Sequence, residues 1–141
     1  MKVTFNIKMP KVSERVQNKI NSNKRLALLA AAQQGVNTIV KRTTKGVSYK
    51  GGAFKPYSES YKKTRIKKQR GIKPDLQFTG NMIASIQAKS TKRKGTIFFN
   101  SGTEANKAIK NENTRPFFGF SESEEARLKK VYIKRLMRGI D

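Results

Sequence analysis

The chain has 141 residues with no cysteine and no histidine, and it sets 32 Lys and Arg against 9 Asp and Glu, a formal net charge of +23. That composition excludes disulfides, thiolate nucleophiles, the usual general base and the common zinc ligand sets. The length implies a single domain over residues 1–141, and a hydrophobic share of 35% implies a small core with much polar or interfacial surface.

From Lys2 to Lys8 apolar and polar residues alternate, with Val3, Phe5 and Ile7 on one side, which predicts a half-buried strand ended by Pro10. The period then changes. Val12, Val16, Ile20, Leu28, Ala32, Val36 and Val40 form a stripe at helical spacing, predicting one long helix from Val12 to Arg42. Asn21, Ser22, Asn23 and Gly35 are its weak points. Residues Thr43 to Pro74 keep no period and read as an extended basic loop, spanning about 41–75, with one short helix capped by Ser58 and running toward Arg70.

Thr79 reads as an N-cap for a short helical turn, Gly80 to Ile86, with Met82, Ile83 and Ile86 facing inward. Strands over Ser85 to Thr91 and Gly95 to Asn100 form a hairpin around Lys92, Arg93 and Lys94. Ser101 with Glu104, and Ser121 with Glu124, have capping-box spacing at helix starts. The second opens a helix carrying Leu128, Val131, Tyr132 and Leu136. The predicted fold is α+β, a long N-terminal helix and a C-terminal helix packed on a small antiparallel sheet.

Between Lys41 and Pro74 twelve Lys and Arg face one acid, Glu59. Phe54, Pro56, Tyr57 and Tyr61 lead into this run, and aromatics interleaved with cations suit either a base-stacking platform or the anchoring of the loop on a neighbouring surface. In the segment Thr114 to Phe120, Arg115 and Pro116 precede Phe117, Phe118 and Phe120. Arginine beside aromatics is the composition of an interface anchor, and it equally suits a core wedge under the last helix. Thr79 and Gly80 lack the Gly-rich loop and Lys of a phosphate-binding turn, so they read as capping residues. The acids are dispersed, apart from those that favour the start of the last helix. No enzymatic activity, cofactor or metal is expected.

In order and spacing, three segments resemble the phage virion morphogenesis and tail-completion family. They are Gly51 to Ser58, running into a Tyr- and Lys-rich stretch; Phe78 to Ser85, a Leu-Thr-Gly-x-Met-x-x-Ser-like element; and Arg115 to Ser121, an Arg-Pro-Phe-Phe-Gly-Phe-Ser-like element. The likeness covers about Lys41 to Leu128. Many members carry a Tyr-Ala-x-x-His-x-x-Gly-like stretch before the Arg-Pro element, where this chain has Glu104 to Asn113 and no histidine.

The resemblance implies a structural virion subunit at the head-to-tail junction, a homo-oligomeric ring of about six or twelve copies. It would contact portal or connector proteins on one side and tail proteins on the other, after assembly in the host cytoplasm. A closed ring repeats one heterologous contact, which needs two complementary patches per subunit. The expected patches are the basic loop and the joined clusters at Phe54 to Tyr61 and Arg115 to Phe120. Because many phosphate contacts would brake moving DNA, most of the charge is expected to face acidic protein, with Lys62, Lys63, Arg65, Lys67, Lys68 and Arg70 as the stretch that reaches DNA or an acidic partner. The alternative is a basic nucleic-acid-binding protein of the ribosomal or nucleoid kind. Nothing in the sequence suggests membrane insertion.

Overall fold

The computed structural model describes residues 1–5, 13–77 and 79–140. The expected strand positions Asn6, Ile7 and Lys8, the stop at Pro10, the helix start at Val12, and Phe78 lie outside the described residues. Strand β1 covers Val3–Phe5, helix α1 Glu14–Thr44, α2 Glu59–Lys67 and α3 Asn81–Ala84. Strands β2 (Ile86–Ser90) and β3 (Gly95–Phe99) follow, then helices α4 (Gly102–Thr114) and α5 (Glu122–Leu136). The three strands are ordered β1-β3-β2, and β1 runs antiparallel to β3 with Val3 opposite Ile97. The architecture is α+β, with the long first helix, the terminal helix and the small antiparallel sheet that the patterning implied.

Helix α1 is unbroken through both predicted weak points. The Asn21 Oδ1 accepts from Gln17 Nε2 at 2.9 Å and the Ser22 hydroxyl donates to Lys19 O at 2.8 Å, so these side chains work within the helix. Asn23 Nδ2 donates to the carbonyls of Leu136 and Arg138 at 2.8 and 3.0 Å. That amide satisfies carbonyls at the end of α5 that have no intrahelical donor. Gly35 is buried, on the same stripe as Ile20, Leu28, Ala32 and Ile39. The helix runs two residues past Arg42 and stops in a Schellman motif, with Gly46 at φ +74, Gly46 N–H donating to Thr43 O and Val47 N–H to Arg42 O.

The backbone divides into two compact bodies, one of Lys2–Thr38, Gln87–Phe98 and Glu122–Asp141, the other of Ile39–Ile86 and Phe99–Ser121. In the first, Ile20, Ala27, Leu28 and Ala31 of α1 pack with Tyr132 and Leu136 of α5, and Phe5, Val16, Met137 and Ile140 cover the cluster. Sheet and helix approach closely here, since a methyl group at Gly95 would lie 2.9 Å from the Phe5 ring and 3.0 Å from the Leu28 carbonyl. The hairpin turn forms as expected, Thr91 N–H donating to Lys94 O while the Thr91 hydroxyl accepts from the N–H groups of Arg93 and Lys94.

In the second body the buried residues are Ile39, Phe54, Tyr57, Leu76, Met82, Ile83, Ile86, Ala108, Phe117 and Phe118. The basic segment is more structured than an extended loop. An isolated bridge pairs Val47 with Ala53 across a turn whose Gly51 and Gly52 have positive φ. Ser58 caps α2 as expected, accepting from Tyr61 N–H at 3.3 Å. The helix ends at Lys67, short of Arg70, because Gln69 turns left-handed (φ +57) while Gln69 N–H donates to Ile66 O and Arg70 N–H to Arg65 O. The turn expected over Gly80 to Ile86 is shorter too: α3 ends at Ala84, and Ile86 is already strand. Helix α4 is an element for which only the Ser101 start signal was apparent, and the Ser101 hydroxyl accepts from Glu104 N–H.

Candidate functional site: a groove where three motifs meet

Three segments separated in sequence interlock within the second body. The Arg115 guanidinium donates from Nε to Lys55 O at 2.7 Å and from Nη2 to Pro56 O at 2.9 Å, and it lies 4.7 Å from the centre of the Tyr57 ring. A forked, planar cation suits two adjacent carbonyls and an aromatic face together. Leu76 N–H donates to the Tyr57 phenol oxygen at 3.1 Å, and Asn111 Nδ2 lies 3.8 Å from Met82 Sδ. The first and third motifs are thereby joined, as the sequence reading expected, while the second meets helix α4 through Met82.

The Arg115 to Phe120 segment is itself clamped from both sides. Glu112 Oε2 accepts from the N–H groups of Phe117 and Phe118, both at 2.9 Å, and its Oε1 accepts from the Tyr49 hydroxyl at 3.2 Å. Opposite in charge, Arg42 Nη2 donates to the carbonyls of Phe117 and Gly119 at 2.6 and 2.9 Å. The Tyr49 ring sits where a methyl group on Gly119 would be, 2.6 Å away. Burial raises the Tyr49 pKa, and the Glu112 carboxylate raises it further.

This geometry assigns several expected contact residues to the interior. Phe54, Tyr57, Phe117 and Phe118 are buried, with Phe118 tilted against Phe99 at 4.9 Å. Their rings are core wedges. Pro56 is exposed, while Tyr61, Pro116 and Phe120 are half-buried. The base-stacking platform does not form. Tyr57 lies beneath the guanidinium groups of Arg65 at 5.0 Å and Arg115 at 4.7 Å, and meets Tyr61 edge-on at 4.8 Å. Burial raises the Tyr57 pKa, offset in part by the Leu76 hydrogen bond.

Arg65 likewise leaves the set of surface cations. It is 1% exposed, donates to Gly71 O from Nε, and pairs with Asp75 at 3.2 Å. Its position on α2 points it inward. Lys62 is half-buried and pairs with Glu59 at 3.2 Å, whereas Lys63, Lys67, Lys68 and Arg70 are exposed. Of the capping residues, Gly80 occupies the N-cap of α3 at φ +84, and the Thr79 hydroxyl accepts from Asn81 N–H at 3.3 Å. The left-handed turn moves the cap one residue beyond the one expected. Ser121 directly precedes α5, and Glu124 is buried in its first turn.

The interlocked segments enclose a groove of about 810 Å³. Its walls include Lys55, Pro56, Tyr57, Ser58 and Tyr61 from the first motif, Thr79, Gly80 and Met82 from the second, and Arg115 from the third. Helix α4 adds Glu104, Lys107, Asn111 and Thr114. Glu104 Oε1 pairs with Lys107 at 3.1 Å, and its Oε2 is buried with no hydrogen-bond donor. Sequence reasoning missed Arg42 and Glu112, because no local period ties a lone charged residue to a partner far along the chain; Glu104 was read only as part of a capping box, and Lys107, three residues on along the same helix, was not singled out.

Among the described residues no cluster of His, Cys, Asp or Glu is suited to hold a metal ion, and no helix is long and apolar enough to cross a membrane. No protein-family model, curated protein or solved structure matches the chain.

Proposed function

We propose that this chain is a structural virion protein of a tailed bacteriophage, a neck or tail-completion subunit that acts by assembling into a ring at the head-to-tail junction. One observation carries the reading: the three segments on which the family resemblance rests converge on a single groove. Residues selected only for folding need not share a surface. Here the first motif supplies one wall, the Thr-Gly-x-Met element another, and Arg115 of the third lines the same groove while holding the first. The work is binding, not turnover, and portal, connector and tail proteins of the particle are the partners this reading requires.

A basic nucleic-acid-binding protein is the second reading, favoured by the exposed Lys63, Lys67, Lys68 and Arg70. Sedimentation of the purified chain at low and moderate salt separates them. A ring-sized species, formed alone or on adding connector or tail protein, supports assembly. A monomer that shifts only with duplex DNA, and loses it steeply as salt rises, supports the nucleic-acid reading and sinks the first.

A further inference from the structure

We propose that the groove receives an extended acidic segment of a neighbouring protein, with apolar side chains interspersed among its carboxylates. The inference rests on the assembly reading for the source of that segment. Its chemistry comes from the groove walls.

Lys55, Lys107 and Arg115 outnumber the one carboxylate, Glu104, so the groove carries excess positive charge. Two of these cations are already committed in part inside the chain, Arg115 to two carbonyls and Lys107 to Glu104. Lys55 is exposed and makes no ion pair among the described residues. A guest carboxylate therefore finds Lys55 free and Lys107 half-exposed at 52%. Pro56, Tyr61, Met82 and Leu76 supply the apolar part of the lining.

The lining favours a peptide over a phosphodiester strand. Pro56, Tyr61 and Met82 place apolar surface beside the cations, which apolar side chains interspersed among carboxylates would cover and a uniformly charged phosphodiester backbone would not. The volume, about 810 Å³, is within the range of preformed ligand sites. Extended peptides are held in this way elsewhere, with main-chain hydrogen bonds giving affinity and pockets for alternate side chains giving specificity.

The test uses the full chain and a fluorescein-labelled peptide of alternating Glu and Leu, about ten residues long, read by anisotropy. Salt is held at about 0.3 M, where exposed charges more than a few ångströms apart are screened. Saturable binding is expected, weakened at least about tenfold by Lys55→Gln with Lys107→Gln. Lys129→Gln with Lys130→Gln, which removes the same charge from exposed sites on α5, is expected to change it less than about twofold. Thr114→Trp, at an exposed lining position, is expected to block the groove without altering charge. Circular dichroism melts of each variant report whether it folds.

Equal loss in both double-glutamine variants, or binding untouched by Thr114→Trp, overturns the inference by showing that the peptide sees only diffuse charge. Duplex DNA displacing the peptide from the groove at this salt, with the same dependence on Lys55, Lys107 and Thr114, overturns it in favour of a nucleic-acid site. A ring that forms while the peptide fails to bind removes this inference alone. Peptide binding by a chain that never forms a ring keeps the groove and removes the ring.

Discussion

The two bodies of this protein are stabilised by different means. In the first, Ile20, Leu28, Tyr132 and Leu136 bury an apolar seam between two helices, and polar side chains finish its edges, Asn23 on the end of α5 and Ser90 on the Arg25 carbonyl of α1. In the second, guanidinium and carboxylate groups are bound into the architecture: Arg42 and Glu112 hold the Phe117 to Gly119 backbone, Arg115 holds Lys55 and Pro56, and Arg65 lies over the rings of Tyr57 and Tyr61. The comparison teaches that the net charge of +23 overstates what partners can reach. Some of the cations that look like a polyanion-binding loop are structural.

The largest effects should separate the bodies by mechanism. Leu136→Ala removes a fully buried side chain from the seam and is expected to cost about 2–5 kcal/mol by transfer and cavity terms, measured by urea unfolding. Arg65→Met keeps much of the volume but leaves Asp75 unpaired. Because that carboxylate is 28% exposed, the expected loss is about 2–3 kcal/mol, below the range for a fully buried ion. A loss under about 0.5 kcal/mol would return Arg65 to the surface set, where substitutions are near neutral.

The first body was legible because its information is periodic. The alternation at Val3 and Phe5, the stripe from Val16 to Ala32, and Leu128, Tyr132 and Leu136 at four-residue intervals each name a buried face without knowledge of any other element. Helix α4 was not legible in this way. Its buried position is the small Ala108, while its larger apolar residue, Ile109, is 45% exposed. The site was legible in part: the motifs were recognisable segments, and the joining of the Arg115 to Phe120 and Phe54 to Tyr61 clusters was expected. That Tyr57 would be covered by arginines was not, since sequence reading assigns Arg to solvent by default. Gly80 shows a smaller version of the same limit, because a left-handed residue shifts a cap by one position.

An intermediate effect is expected at high pH, and it crosses both bodies. Burial raises the phenol pKa of Tyr57 and Tyr49 in the groove body and of Tyr132 in the seam. The folded state thus favours the protonated phenol more than the unfolded state does. The stability this contributes is complete below the ordinary value near 10, and it declines as pH rises above that value, where the unfolded chain ionises first. Tyr132→Phe should flatten the alkaline decline with little change at pH 7, because burial is the sole cause of its shift. Tyr57→Phe should flatten it and also destabilise at pH 7 by about 1–2 kcal/mol, because Leu76 N–H loses its acceptor. Urea titrations at pH 7 and above pH 10 measure both.

The smallest effect is the sharpest control on the comparison. Lys67 lies two residues beyond Arg65 on α2, and a helix turns about 100° per residue, which places the two on different sides. Lys67 is exposed and Arg65 is buried. Lys67→Gln should therefore shift stability by no more than about 0.5 kcal/mol, while lowering the salt dependence of any polyanion binding by about one phosphate contact if Lys67 touches nucleic acid. An unchanged salt slope, together with weaker association with an acidic protein, would assign this exposed cation to a protein partner. A change in stability as large as that expected for Arg65→Met would instead mean that the charged face of α2 is structural throughout.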